Sequence, residues 1–207
     1  ISNATFIFPI LILISFLLAS LMLSFYFLMA LLTYLLTTIA YSFYLKRRVL
    51  IDVIALASLY TLRIVAGILA IDAEFSFWLL TFSIFIFMSL ALMKRYTELL
   101  QIIKLKLKTP SGRSYIVDDI NFLLPLGVSS GYISILVFAL FINSMSLGNY
   151  KSPEFLWLMI PVFLYWISRT WLIAHRGEMQ DDPIIFALRD KTSIVTLLIS
   201  ISIFSIS

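Results

Sequence analysis

The amino-acid sequence predicts an all-α fold, a polytopic bundle of transmembrane helices. Of the 207 residues, 62% are hydrophobic and only 13% are charged, and the mean hydropathy is +1.06. A soluble core of this size cannot bury so much apolar surface, so lipid must contact much of it. The apolar segments show no strand-like alternation, which leaves helices to satisfy the backbone hydrogen bonds in a bilayer.

Seven apolar segments approach the ~20 residues that a spanning helix needs. In chain order they are 6–23, 25–45, 49–71, 75–93, 120–143, 154–174 and 192–206. The first two are joined near Ser24 with almost no loop, which predicts a tight helical hairpin. The last segment is the shortest.

Basic residues fall mainly on one side of the predicted membrane. Twelve of the fifteen lie in or beside the connections that follow the second, fourth and sixth segments. The positive-inside rule places these connections in the cytoplasm. We therefore expect a multi-pass protein of the inner (plasma) membrane with a cytoplasmic active face. We expect membrane lipid to be a partner, and we expect no nucleic-acid partner.

The composition also limits the chemistry. The chain has no cysteine and one histidine. This excludes thiol nucleophiles, disulfides and cysteine or multi-histidine metal sites within it. A divalent metal would need oxygen ligands, which favours magnesium.

Ionisable residues cluster around the start of the third segment. Lys46, Arg47 and Arg48 end the preceding helix, Asp52 begins the next, and Arg63 lies deeper in it. A charge at membrane depth costs about 2.5–3.5 kcal/mol or more, so the cluster indicates a site for an anionic group. Arg63 follows Asp52 by close to three helical turns, which predicts that both face one interior wall, ~16 Å apart.

A second basic cluster follows the fourth segment and has two interpretations. Lys94 and Glu98 are i,i+4 neighbours on a continued helix, which is typical of a solvated ion pair. With Arg95 they could instead form a phosphate clamp that the glutamate orients. The lysines that follow are interpreted as contacts for anionic lipid headgroups; they are Lys104, Lys106 and Lys108.

Acidic residues at two further helix starts have alternative roles. Asp118 and Asp119 open the fifth segment, where one can cap the helix and the other can accept a proton or contact a metal. Tyr115 lies at the same rim. Asp182 precedes Pro183, a pattern typical of an N-cap followed by proline at the first helical position.

Several of these residues form a pattern that resembles a known family. The run Tyr41-Ser42-Phe43-Tyr44-Leu45-Lys46, followed by Asp52-Val53, Leu62-Arg63 and Ala66-Gly67, resembles the UbiA-type membrane prenyltransferase superfamily, most closely its decaprenyl-phosphate phosphoribosyltransferase-like branch. Supporting segments are Lys94-Arg95-Tyr96 with Glu98, Gly112-Arg113 with Tyr115 and Asp118, and Trp171 through Asp182. Because the resemblance spans nearly the whole chain, we expect residues 1–207 to form one UbiA-like membrane domain.

The resemblance implies a nine-helix bundle with a lipid-open central cavity, a polar cytoplasmic cap and magnesium-dependent transfer from a diphosphate-bearing donor. The family's first aspartate-rich motif, N-D-x-x-D-x-x-x-D, is absent from the sequence, and Ile1-Ser2-Asn3-Ala4 resembles the start of the third helix. We therefore expect a fragment that holds seven of the nine helices and is inactive alone. Some similar bacterial proteins also carry an upstream phosphatase domain.

The expected reaction is transfer of a phosphoribosyl group from phosphoribosyl diphosphate to a polyprenyl phosphate. One alternative is transfer of a prenyl group from its diphosphate to an aromatic or other acceptor. An alternative of another class is a transporter or non-catalytic membrane protein. The residues expected to bind substrate are Tyr41, Lys46, Arg47, Arg63, Lys94, Arg95, Arg113 and Tyr115. Those expected to orient cations or assist catalysis are Asp52, Glu98 and Asp118, and the expected magnesium contacts are Asp118 and Asp119.

Cysteine substitution tests the orientation, because the chain has no native cysteine. We predict that Ser111→Cys is cytoplasmic and Ser146→Cys is outside. An impermeant thiol reagent added to intact cells should then label only the second variant. Labelling of Ser111→Cys in intact cells would reverse the orientation.

Overall fold

A computed structural model describes residues 11, 13–20, 23–105, 114–144, 152–179 and 182–207. Within these ranges the chain is helical and contains no strand, which confirms the predicted all-α fold class. The α-helices are α1 (13–20), α2 (Phe25–Phe43), α3 (Ile51–Ala70), α4 (Phe77–Lys104), α5 (Ile120–Asn143), α6 (Met159–Arg176), α7 (Pro183–Arg189) and α8 (Lys191–Ile206). Short 3-10 helices precede α3, α5 and α6, at Leu45–Arg47, Val117–Asp119 and Pro153–Leu158. Ser111 and Ser146, like Lys106 and Lys108, lie outside the described residues.

Five of the described helices are long and apolar enough to cross a membrane. They are α2, α3, α4, α5 and α6, the last two together with their 3-10 starts. Helix α8 is also apolar but has only 16 residues. Large apolar side chains are exposed along the outside of the bundle, as expected for a surface that lipid covers.

The helix bounds differ from the predicted segments most clearly at α4. This helix continues to Lys104 instead of ending at residue 93. The hydropathy pattern marks where the apolar stretch stops, but Lys94, Arg95 and Glu98 remain helical because each finds an ionic partner. A second difference is the short helix α7, which is not among the predicted apolar segments. Its N-cap was predicted: the Asp182 carboxylate accepts a hydrogen bond from the Ile184 N–H at 3.0 Å.

The main hydrophobic core lies between α4, α5 and α6. Helix α4 packs along α5 on one side and α3 on the other, and α2 packs against α3. Helix α6 contacts α5, α4 and α8. The buried centre of this core includes Leu92, Leu123, Ile167, Trp171 and Ala174.

Small residues on α5 allow α6 to approach closely. A Cβ added at Gly127 would lie 2.2 Å from the Trp171 ring, and one at Gly131 would lie 2.8 Å from Ile167 Cγ2. A buried polar relay completes the contact: the Trp171 Nε1–H donates to Ser89 Oγ at 3.0 Å, and Ser89 Oγ donates to the Gly127 carbonyl at 2.7 Å. Close backbone approach with satisfied hydroxyl groups is typical of helix packing in membranes.

Helices α6 and α8 are joined by a bidentate ion pair. Arg169 Nη1 and Nη2 lie 2.7 and 3.0 Å from the two carboxylate oxygens of Asp190. The same carboxylate accepts a hydrogen bond from the Ser193 N–H at 2.8 Å and so caps α8. The hydrogen bond from Arg169 holds the pKa of Asp190 below its usual range, so this connection stays ionised at neutral pH.

Substitution of Gly127 tests the close packing of α5 against α6. Gly127→Ala places a methyl group inside the van der Waals radius of the Trp171 ring, so we expect a loss of about 1–3 kcal/mol. Gly67→Ala is the matched control, because a Cβ there meets no atom within 4 Å and alanine favours a helix by up to about 1 kcal/mol. Thermal unfolding in detergent compares the two variants. Equal unfolding temperatures would contradict the packing.

Candidate functional site

In an up-and-down bundle, alternate connections lie at the same end. Four segments meet there: the α2–α3 loop (44–50), the end of α4 (94–105), the segment before α5 (114–119) and the α6–α7 connection (177–179 with Asp182). Direct contacts join these segments. We call this end of the bundle the basic end.

The α2–α3 loop carries three cations that have no ion pair among the described residues. Lys46 is half-buried, and Arg47 and Arg48 are exposed. Tyr41 lies half-buried on the last turn of α2. Neighbouring positive charges without internal carboxylate partners attract an anion. The role of this loop in binding substrate stays a prediction.

The segment before α5 fixes this loop in place. Ser114 Oγ donates to the Arg47 carbonyl at 2.6 Å, the Leu50 N–H donates to the Tyr115 hydroxyl at 3.0 Å, and that hydroxyl donates to Asp52 Oδ1 at 2.6 Å. Leu50 has a φ of 63°, which is uncommon for a residue with a side chain. Tyr115 therefore holds the loop at its one left-handed residue.

The Tyr115 hydroxyl is suited to donate its hydrogen bond to Asp52 at all physiological pH values. Its side chain is buried, and burial, followed by the hydrogen bond to Asp52, raises the pKa of the phenol above its ordinary value. The phenol stays neutral at physiological pH and keeps its proton. Its predicted role in binding substrate is thus replaced by a role in positioning the loop.

A buried ion pair lies directly beneath the loop. Arg95 Nε and Asp52 Oδ2 are 2.8 Å apart, and the two residues are 2% and 0% exposed. Their alignment does not meet hydrogen-bond geometry, so charge attraction joins these two atoms. Glu98 pairs with Nη1 of the same guanidinium. Arg95 is therefore held between two carboxylates.

This arrangement corrects the predicted role of Arg95. The guanidinium was expected to bind a phosphate group, but it is buried and neutralised by Asp52 and Glu98. Both acids contact the same guanidinium, and their part in catalysis stays a prediction. Because Asp52 is itself inaccessible, it can act only as a positioning residue and not as a group that touches substrate.

Lys94 has a different partner from the one the sequence pattern indicated. Its ammonium pairs with Asp182 on the α6–α7 connection, and Glu98 pairs with Arg95 instead. Asp182 thus caps α7 and also binds Lys94. The Lys94 side chain remains 35% exposed, so an anion can still reach it.

Arg63 does not share an interior wall with Asp52, and that prediction is wrong. Arg63 is exposed, and its Nε and Nη2 donate to the Tyr34 hydroxyl at 3.1 and 2.7 Å. The guanidinium also lies 5.4 and 4.9 Å from the ring centroids of Tyr34 and Tyr60, a cation–π arrangement. Residues from α4 and the segment before α5 cover Asp52, whereas Arg63 contacts α2 and its own helix.

The described residues do not fit a magnesium site. Asp118 is exposed, and the Asp119 carboxylate accepts a hydrogen bond from the Ile116 N–H at 2.9 Å. Asp119 therefore acts as the helix-start cap that the sequence allowed for one of the pair. Nowhere in the described part of the chain do three histidine or acidic residues come together. Arg113, a predicted substrate-binding residue, lies outside the described residues.

An apolar cavity of about 710 Å³ lies in the bundle, bordered by α3, α4, α6, α7 and α8. Leu90, on its wall, precedes Lys94 by about one turn, and Pro183, also on its wall, adjoins Asp182. This part of the cavity wall therefore lies near the Lys94–Asp182 pair at the basic end. Tyr60 lines the cavity, but Arg63 is not among the described lining residues. The sequence indicated the apolar segment that forms α8 and the cap of α7, but not that these two helices line a cavity with α6.

Comparison with known proteins identifies two longer relatives. No protein-family model matches the chain. It is 40% identical over 151 residues to Uncharacterized protein y4nM of Sinorhizobium fredii, covering 72% of this chain and 29% of that protein. It is 36% identical over 149 residues to Nodulation protein NoeC of Azorhizobium caulinodans, covering 72% of this chain and 48% of that protein. The chain therefore spans less than half the length of these curated relatives.

A double-mutant cycle tests the buried ion pair. Arg95→Ala leaves Asp52 without its cation, and Asp52→Ala leaves Arg95 with one carboxylate fewer, so we expect each to cost about 3–5 kcal/mol. The double variant should lose clearly less than the sum, because neither charge is then left unpaired. Denaturant unfolding in detergent gives these values.

The matched control for this cycle is Lys94→Ala. It removes a half-exposed ion pair, which is typically worth at most about 1 kcal/mol. If the losses from Arg95→Ala and Asp52→Ala simply add, the two residues act independently and the pair does not anchor the loop.

Proposed function

We propose that this chain is the membrane domain of a UbiA-type transferase that moves a phosphoribosyl group from phosphoribosyl diphosphate to a polyprenyl phosphate. The observation that supports it best is the loop of Lys46, Arg47 and Arg48. These cations have no ion pair within the described residues, yet hydrogen bonds from Ser114 and Tyr115 fix their loop. A fixed, uncompensated positive loop suits an anionic ligand.

The charged residues of the basic end divide into two roles. Lys46, Arg47 and the partly exposed Lys94 would bind phosphate oxygens and stabilise the negative charge that develops on a departing diphosphate. Arg95 and Asp52 would hold the loop in position without touching the substrate. Magnesium, as the resemblance implies, would offset donor charge when bound, but the described residues offer it no ligand cluster.

The apolar cavity suits the hydrocarbon part of such a substrate. Its volume of about 710 Å³ falls in the range of roughly 300–1,000 Å³ that is common for ligand sites. The Lys94–Asp182 pair lies close to the wall residues Leu90 and Pro183, so a lipid phosphate could lie near Lys94 while its tail enters the cavity. We further propose that this end faces the cytoplasm at the inner membrane, because of the positive-inside rule.

A second candidate function is a non-catalytic membrane protein that binds an anionic lipid. The observation that favours it is the lack of an acidic cluster for magnesium in the part of the chain that the structure describes. The basic loop and the apolar cavity would serve both functions equally. Turnover of a donor distinguishes them.

The proposal is tested with Lys46→Ala and Arg47→Ala in the full-length protein. Each change removes a charge-assisted contact worth roughly 1.5–3 kcal/mol, so kcat/KM should fall roughly ten- to a hundredfold. The assay follows radiolabelled phosphoribosyl diphosphate into lipid, and a parallel assay uses a prenyl diphosphate with an aromatic acceptor.

Lys191→Ala is the matched control, because Lys191 is an exposed lysine at the start of α8. It should leave kcat/KM unchanged. Equal losses in all three variants would mean that general surface charge, and not the loop, binds the substrate. A wild-type protein that turns over neither donor would favour the non-catalytic candidate, and turnover of the prenyl donor alone would replace the phosphoribosyl reaction by prenyl transfer.

A further inference from the structure

Arg63 carries a positive charge halfway along the bundle. Its guanidinium donates to the hydroxyl of Tyr34, the central residue of α2, and lies 4.9 Å from the ring centroid of Tyr60. Tyr60 stands nine residues after the start of α3 and ten before its end, so this level is ~14 Å from either end of the helix. The headgroups of a bilayer that α3 crosses lie well outside that level.

The Arg63 side chain extends towards the basic end and not towards the nearer end of its helix. Arg63 stands seven residues before Ala70, the last residue of α3, yet its guanidinium lies over the ring of Tyr60, three positions earlier in the chain. Helical side chains lean towards the N-terminus of their helix, which in α3 is at the basic end. Arg63 therefore does not extend to the nearer membrane surface, as a long cationic side chain near a helix end often does.

This charge has no counter-ion within the described residues. The ion pairs of the described ranges involve other cations. Arg63 Nε and Nη2 donate to one tyrosine oxygen, and Nη1 meets no hydrogen-bond acceptor in the same ranges. A guanidinium offers five N–H groups, and an exposed charge at membrane depth is unfavourable. The remaining donors therefore suit an anionic group that does not belong to the described residues.

The aromatic neighbours of Arg63 connect it to the larger cavity. Tyr60 stacks on Phe87 of α4 with a centroid distance of 4.9 Å and an interplanar angle of 22°, and both rings line the cavity of about 710 Å³. The guanidinium lies on Tyr60 itself and is thus one ring away from the apolar space. An anionic group at Arg63 and a hydrocarbon chain in the cavity can therefore belong to one molecule, as in a phosphorylated lipid.

We propose that Arg63, oriented by Tyr34 and Tyr60, binds the phosphate of the lipid substrate at a position separate from that of the donor's diphosphate. Eight residues separate Tyr60 from Asp52, so the guanidinium lies ~12 Å from the level of Asp52 along α3. Cations at two such levels bind two anionic groups and not one phosphate. This inference rests on the proposed function, which requires two such groups, and it leaves the cations of the basic end to the donor.

Two separate positions suit the geometry of the transfer. An oxygen of the lipid phosphate dianion forms a bond to the anomeric carbon of the ribose. The bond from that carbon to the diphosphate oxygen breaks, its electron pair leaves with the diphosphate, and no proton moves in this step. The reacting atoms must approach to about 3–3.5 Å, with the attacking and departing oxygens on opposite sides of the carbon. Arg63 would hold the attacking phosphate on the membrane side of the ribose, and the basic end would receive the diphosphate on the other side.

The site is tested by ligand binding to the full-length protein and its Arg63→Met variant. The lipid probes are decaprenyl phosphate, decaprenol, which has the same tail without the phosphate, and dioleoyl phosphatidic acid, a phospholipid with a phosphate monoester. Native mass spectrometry in detergent gives the dissociation constants. Loss of charge-assisted hydrogen bonds should raise the dissociation constant of decaprenyl phosphate roughly ten- to a hundredfold. The constants for decaprenol and for phosphoribosyl diphosphate should stay unchanged.

The matched control is Lys191→Met, which removes another exposed cation, at the start of α8. It should leave all four dissociation constants unchanged. Tyr34→Phe removes only the hydroxyl that accepts from Arg63 Nε and Nη2. It should weaken the binding of decaprenyl phosphate in smaller measure, and it gives the same test if Arg63→Met does not fold.

Each outcome decides the inference. Weaker binding of decaprenyl phosphate with unchanged binding of decaprenol supports both the Arg63 site and the proposed substrate, whether or not phosphatidic acid also binds more weakly. A loss for phosphatidic acid alone supports a lipid-phosphate site and counts against the proposed substrate. Equal losses for decaprenyl phosphate and decaprenol, or an equal loss for phosphoribosyl diphosphate, would overturn the site. So would unchanged binding of both phosphorylated lipids, or a wild-type protein that binds neither.

Discussion

The buried pair of Asp52 and Arg95 is the interaction on which the basic end depends. Two isolated charges at this depth would be strongly unfavourable, and they persist only because each meets the other and further polar groups. Tyr115 donates to Asp52, and Glu98 pairs with Arg95. The same tyrosine accepts the Leu50 N–H. One buried network thus determines where α3 begins, where α4 lies beside it and where the α2–α3 loop is held.

Within the basic end, the role of a charged residue depends on whether it is accessible and not on its residue type. Arg95 and Arg47 are both arginines of the basic end, but one is enclosed by carboxylates and the other is exposed. The charge of an enclosed cation is already neutralised by carboxylates of the protein. Such a cation therefore contributes rigidity and little affinity for a ligand. The exposed loop cations keep their attraction for an incoming anion. A substrate with phosphate groups would therefore meet a positive surface that is already fixed in shape.

The sequence predicts the helices better than it predicts their partners. Long apolar segments must become helices in lipid, and the Asp182–Pro183 cap was predictable because it depends on adjacent residues. The end of α4 at Lys104 was not predictable, because hydropathy indicates where the apolar stretch ends and not where the helical hydrogen bonds end. The partners of Asp52 and Lys94 are distant in sequence and follow only from tertiary packing. Arg63 shows the limit of helical periodicity, which gives the face of a helix but not what covers that face.

The two ends of the bundle are stabilised by interactions of different kinds, and this difference bears on how a long lipid could bind. At the basic end, ionic and hydrogen-bonded contacts such as Lys94–Asp182 and Lys104 to the Gly177 carbonyl tie the connections to α4. Around Phe163, aromatic rings pack against one another, and these contacts are apolar. A tail could therefore contact apolar surface far from the basic end while polar residues surround its phosphate. Head-group recognition and tail accommodation would then be separable properties of the same bundle.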